Sequence, residues 1–206
     1  MSDPEPYRTI AGPVEATFEV RGSRFTGVLA PAASREAAEA FVDERRAEHP
    51  DATHVVPAYR VPADPADERG RLREYANDDG EPGGSAGKPA LNVLAQRAVR
   101  HVVLAVVRYH GGQNLGVGGL ARAYARSASA ALDAAEIVER RPTERVVATV
   151  AYDDSGTVRG VLESAGVAFD ADYGEAVRFE VRAPVSEADS LRDRLRSATS
   201  GRVRLE

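Results

Sequence analysis

The chain has 206 residues, a formal net charge of −5 and no cysteine. That length buries a core without staples, and the missing cysteines exclude disulfides, thiolate metal sites and a cysteine nucleophile. The longest strongly apolar run, VVLAVV at 102–107, is far too short to span a bilayer, and the opening MSDPEPYRT lacks an apolar signal core, so a cytoplasmic protein with no membrane partner is expected.

In chain order, EATFEVRGSRFTGVLAPA predicts two short strands that turn at RGS. Ser34 caps a helix, SREAAEAFVDERRAEHP, whose Ala37, Ala38, Phe41 and Val42 share one face. ATHVVPAYRV is a strand, with Pro57 suggesting an edge or a bulge. Residues 62–89 are polar and rich in glycine and proline, and read as one long loop. ALNVLAQRA is a short helix, RHVVLAVVRYH a central strand apolar on both faces, and GLARAYARSASAALDAAEI an alanine-rich helix able to lie close to a sheet. Pro142 in VERRPTER then breaks the pattern, and a boundary is expected between a first domain, 1–140, and a second, 141–206. In the second, RVVATVAY is a strand and DSGTVRGVLESAG a helix. VAFDADY and AVRFEVRA form a hairpin around Gly174. SEADSLRDRLRSATSG is a helix with a Ser186-x-x-Asp189 capping box and Gly201 past its end, and RVRLE is a last strand. The order βαββαβ is the ferredoxin-like arrangement.

Charge is unevenly spread. Between Glu81 and Asp133 there is no acidic residue, although the chain has 32, and the stretch keeps Lys88, Arg97, Arg100, Arg108, Arg122 and Arg126. Burial explains part of this gap and a basic, anion-facing surface explains the cations; both readings stand. The arginine-rich, lysine-poor composition matches a high-GC or salt-adapted proteome, in which overall acidity says little about partners.

Five glycines, Gly111, Gly112, Gly116, Gly118 and Gly119, fall within nine positions between the central strand and the alanine-rich helix. Strand, glycine loop and helix N-terminus together gather free N–H groups that favour an anion; tight helix-on-sheet packing is the plain alternative. The segment is not a P-loop, because Val117 and Gly118 follow Gly116 where lysine and Ser/Thr are needed. GVGGLA fits the dinucleotide fingerprint but lies six residues beyond the strand. Arg122, near the helix start, is a phosphate-contact candidate, whereas Arg126 reads as a solvated position and Tyr124 as a stacking or core residue. Asp78, Asp79 and Glu81 crowd one loop, yet Tyr75 and Ala86 stand where a calcium loop needs acids. Aspartates bonding their own backbone are the plain reading. Of the four histidines only His110 adjoins the glycines, and none has metal-ligand spacing. No catalytic residue, metal or cofactor is assigned.

DDGEPGGSAGKPALNVL followed by VVRYHGGQNLGVGGLARAYARSASAAL strongly resembles the IMPACT/YigZ family, and SRFTG and HVVPAYR resemble its weaker upstream blocks. Ser85 replaces a usual threonine, and VVP stands where members often carry Asn-Cys and an aromatic. The resemblance implies an α+β protein, with a ribosomal protein S5 domain 2-like domain followed by a ferredoxin-like domain similar to one in elongation factor G. Relatives of both domains bind RNA or the ribosome, so the expected function is that of a non-enzymatic regulator of translation that binds RNA, the ribosome or translation factors. Lys88, Arg108, Tyr109, Gly111, Gly112, Gly116, Gly118, Gly119 and Arg122 would form the anion- or partner-facing surface. The acidic motif Asp78, Asp79, Gly80, Glu81 and Pro82 would lie beside it, with Asp79 or Glu81 orienting Arg108 or Arg122. Two alternatives remain: a small-molecule phosphate-binding enzyme using the glycine loop, and a protein-interaction module using the acids.

Overall fold

The computed structural model describes residues 5–64 and 71–206. These fall into two compact units, one built from residues 7–64 and 71–140 and the other from 141–206.

In the first unit, strands β1 (Tyr7–Ile10), β2 (Val14–Val20) and β3 (Ser23–Pro31) precede helix α1 (Arg35–Glu48). Then come β4 (His54–Pro62), β5 (Leu72–Ala76), α2 (Gly87–Gln96), β6 (Val102–Tyr109), α3 (Gly116–Ala134) and β7 (Ile137–Arg140). Five strands form an antiparallel sheet in the order β2-β3-β6-β4-β5. β6 is central and buried from Val102 to Arg108, because both faces are covered. Leu104 and Val106 meet Leu94 of α2 and Leu120, Tyr124 and Ala128 of α3. On the other face Val103 packs with Ala38 and Val42 of α1. The β2–β3 turn uses Arg21 (φ 49°) and Gly22 (φ 74°), the left-handed pair that a tight hairpin requires. Ser34 caps α1 as expected, its Oγ accepting from the Ala37 N–H at 3.2 Å.

Three expectations need correction here. Pro57 sits on an inner strand, not an edge or a bulge. Its carbonyl accepts from Asn77 on the β5 side, so its missing N–H also points there, just past the last β4–β5 pair at Ala58 and Ala76. The ladder to β6 therefore loses no donor. The predicted loop at 62–89 contains β5 and the first turn of α2, which starts at Gly87, ahead of the predicted helix; residues 65–70 lie outside the described residues. Strands β1 and β7, which pair antiparallel, were not anticipated, because four charged or polar-flanked residues give no periodic signal.

The second unit comprises β8 (Thr143–Val150), α4 (Tyr152–Ser164), β9 (Phe169–Tyr173), β10 (Val177–Pro184), α5 (Val185–Ala198) and β11 (Arg204–Leu205). Its antiparallel sheet runs β11-β8-β10-β9, the ferredoxin-like order. Val146, Ala148, Phe179 and Val181 pack against Leu162, Leu191 and Leu195. The capping box is a correction: Pro184 holds the N-cap position, so Ser186 is already inside the helix, and no side chain caps it. Asp189 instead accepts from Arg192 at 3.1 Å. Gly201 does follow the helix end, with φ 79°, its N–H bonded to the Arg196 carbonyl at 2.8 Å. No helix among the described residues is long and apolar enough to cross a membrane.

Candidate functional site

The acidic motif is a structural knot in which each carboxylate has its own task. Asp78 accepts the backbone N–H groups of Gly84 (2.6 Å), Ala86 (3.0 Å) and Gly87 (2.9 Å). It thereby caps α2, whose own N-cap, Ala86, has no capping side chain. Burial pushes the Asp78 carboxyl up, but those three N–H bonds outweigh it and hold the group below its usual range. Asp79 accepts from the Val55 N–H at 2.8 Å and from Arg46 at 3.2 Å, fastening the loop to β4 and α1. Gly80 and the exposed Pro82 complete the turn, with Gly80 at φ 85°.

Glu81 points inward. Its side chain is 4% exposed and forms an ion pair with Arg108, which is 6% exposed. Tyr124 of α3 donates to the same carboxylate oxygen at 2.7 Å. Burial, then the bond to Glu81, pushes the Tyr124 phenol far up, so it stays a neutral donor. The guanidinium also stands 5.4 Å over the Phe25 ring, and its Nη2 approaches Ser23 Oγ at 3.5 Å. The two halves of the motif are thus neighbours in space, joined by Glu81 and Arg108. Arg122 takes no part in this pair.

Two histidines flank the pair. His54, the cross-strand partner of Arg108, brings Nε2 to 3.9 Å from Glu81. Its Nδ1 lies 2.6 Å from the Asp79 carbonyl. His110 is exposed, with Nδ1 at 3.1 Å from Arg108 Nη2. Together with Pro82 and the start of α3 they line a groove of about 470 Å³. Sequence reading passed over His54, because only the β4–β6 register reveals that it faces Arg108.

The glycines divide by role. A Cβ on Gly111 would lie 1.9 Å from the Gly22 carbonyl carbon, so the loop must be bare where it crosses the β2–β3 turn. Gly112 and Gly116 have φ of 82° and 71°. Gly118 and Gly119 lie inside the first turn of α3, whose N-cap, Leu115, makes no side-chain cap bond. Gly111, Gly112, Gly116 and Gly118 are exposed. Lys88 is exposed on the first turn of α2 and lines neither groove described for this unit. Tyr109 points to the opposite sheet face from Arg108. There it bonds His49 at 2.9 Å and underlies Arg24 at 4.6 Å.

Arg122 belongs to a second groove, of about 240 Å³, between β2 and α3. Arg21, Arg122 and Arg126 line it together with Phe18, Val20 and Leu115, and no carboxylate among the described residues does. Arg126 lies 4.2 Å over the Phe18 ring, so it is more than a solvated position. Arg21 reaches the Asn114 carbonyl at 3.4 Å. Among the described residues, none of the three arginines has an ion-pair partner. Phe18 and Arg21 carried no sequence signal of their own; the hairpin brings them to the helix. Among the described residues no cluster of His, Cys, Asp and Glu could hold a metal ion.

Comparison with known proteins agrees with this architecture. Residues 21–132 match the Impact N-terminal domain, and residues 149–202 match a domain of unknown function, DUF1949. IMPACT family member YigZ of Escherichia coli is 34% identical over 95% of this chain and 94% of its own length. IMPACT family member YvyE of Bacillus subtilis is 32% identical over 95% of this chain and 88% of its own. A crystal structure of a hypothetical protein, 32% identical, superposes over 98% of this chain and 96% of its own with a TM-score of 0.77. With both halves matched in order and relatives aligned nearly end to end, the chain belongs to the IMPACT family.

Proposed function

We propose that this protein is a cytoplasmic, non-enzymatic regulator of translation that binds RNA on or near the ribosome through the β2–α3 groove. The observation that supports this reading is the trio Arg21, Arg122 and Arg126, unpaired with carboxylates among the described residues, in one groove with Phe18, over which Arg126 lies. Guanidinium groups with no ion-pair partner among the described residues are available to phosphates, and an aromatic floor suits a base. The resemblance of the two halves to ribosomal protein S5 and elongation factor G points the same way. Arg108, neutralised by Glu81, is then a framework residue and not a phosphate contact. The units are read as two domains, 1–140 and 141–206, and a 141–206 fragment is expected to unfold cooperatively by itself in urea.

The test is binding of the full chain to ribosomes and to a structured RNA hairpin across a salt series. Three phosphate contacts give a log–log slope of about −2 to −3, and Arg122→Gln lowers its magnitude by about one. Salt-independent binding, or unchanged binding when all three arginines become glutamine, defeats the reading. A pull-down from lysate with and without ribonuclease separates an RNA partner from a protein one.

A further inference from the structure

The groove at the start of α3 has hydrogen-bonding faces whose character follows from their partners. A backbone carbonyl only accepts, so His54 Nδ1, 2.6 Å from the Asp79 oxygen, carries the proton. In the neutral tautomer that this bond selects, Nε2 is an acceptor. A guanidinium only donates, so His110 Nδ1, 3.1 Å from Arg108 Nη2, accepts, and His110 carries its proton on Nε2. The same groove therefore holds one ring acceptor and one ring donor. Glu81 and Arg108 cancel each other's charge, and no other carboxylate among the described residues lines the groove. The exposed first turn of α3, from Gly116, adds uncapped N–H groups. Leu115, Leu120 and Val117, the last 58% exposed, add apolar surface to the same groove.

We infer that this groove binds a phosphate monoester with an apolar or aromatic body. A monoester monoanion has one O–H for His54 Nε2 and bare oxygens for His110 and the N–H groups of α3. A carboxylate is acceptor-only when ionised, and a phosphodiester has no O–H, so each leaves His54 unanswered. The volume, about 470 Å³, is within the range of small-ligand sites. The site shares Leu115 with the arginine groove but none of its arginines, and it stands independently of the RNA reading.

The experiment titrates the full chain with phenyl phosphate and follows the amide signals of Gly116 and Val117 and the ring signals of His54 and His110 by NMR. Benzoate, methyl phenyl phosphate and inorganic phosphate are the comparison anions. The expected result is saturable binding of phenyl phosphate, about tenfold tighter than benzoate or the diester, because one charge-assisted bond is gained. His54→Ala and His110→Ala each weaken it about tenfold; His110 is exposed, so its variant tests the site without disturbing the core. Arg122→Gln leaves phenyl phosphate binding unchanged while lowering RNA binding, which separates this site from the proposed function. A 5′-phosphorylated tetranucleotide and its unphosphorylated twin assign the source. If only the phosphorylated form displaces phenyl phosphate, the ester is an RNA end; if neither does, it is a small molecule. No saturation, equal affinity for the three organic anions, or unaltered binding by His110→Ala overturns the inference.

Discussion

Arg108 and Arg122 come from the same acid-free stretch, and the fold treats them in opposite ways. Arg108 is 6% exposed, ion-paired to Glu81 and backed by Tyr124 and Phe25. Arg122 is exposed beside Arg21 and Arg126, with no carboxylate among the described residues along their groove. The difference teaches that a gap in acidic sequence does not make a basic surface. One acid just before the gap is enough to neutralise its central cation, and the cations left over define the surface.

The strongest way to break that contrast is Glu81→Gln. Removing one member of a buried pair leaves an uncompensated charge and is expected to cost about 3–5 kcal/mol, measured by urea denaturation. Adding Arg108→Met should recover part of that loss, because no buried charge then remains. Arg122→Gln should stay within about 0.5 kcal/mol of the parent, as substitutions at exposed positions do. Equal losses at the two sites would refute the division.

Asp78→Ala is expected to cost about 2 kcal/mol, since α2 loses its only side-chain cap along with the loop's internal bonds. Amide exchange at Gly84, Ala86 and Gly87 should quicken selectively.

Acid sharpens a comparison between the units. Glu180 is pulled down to about 2, chiefly by its bond to Arg145. Asp78 is also held below its usual value. A depressed folded-state value means stability that is present above the unfolded values of 4.5 and 3.8 and is lost as pH falls through the folded ones. The urea midpoint should therefore drop progressively below about pH 4.5. Glu180→Gln should flatten that slope for the second unit and Asp78→Asn for the first. The Glu180–Arg145 pair is about 40% exposed on both sides, so added salt should shrink its part.

The smallest effect separates the glycines by role. An alanine Cβ at Gly118 meets only the flexible end of Arg122, at 3.4 Å. Gly118→Ala should stabilise α3 by about 0.5–1 kcal/mol, read as a raised melting temperature. Gly111→Ala, aimed at the backbone of Gly22, should instead lower the melting temperature, and by more than Gly118→Ala raises it.

The sequence by itself determined much of the architecture. The Ser34 cap, the RGS turn, the central strand and the ferredoxin-like order were legible because caps, glycines and hydrophobic period act over a few residues. The sequence placed the two halves of the family motif side by side, with Asp79 or Glu81 meeting Arg108 or Arg122, but not which carboxylate meets which arginine; the fold pairs Glu81 with Arg108. Tertiary structure alone decided the rest. Strand alternation turns Tyr109 away from Arg108, and the β4–β6 register sets His54 beside it. The β2–β3 hairpin carries Arg21 and Phe18 to Arg122, while Asp78 reaches forward to cap a helix that begins at Gly87. Pro184 also displaces the expected Ser186 cap, since β10 runs straight into α5. The physical reason is common to all of these. Pairing, burial and the direction of a side chain depend on contacts between segments far apart in the chain, and local propensity holds no information about them.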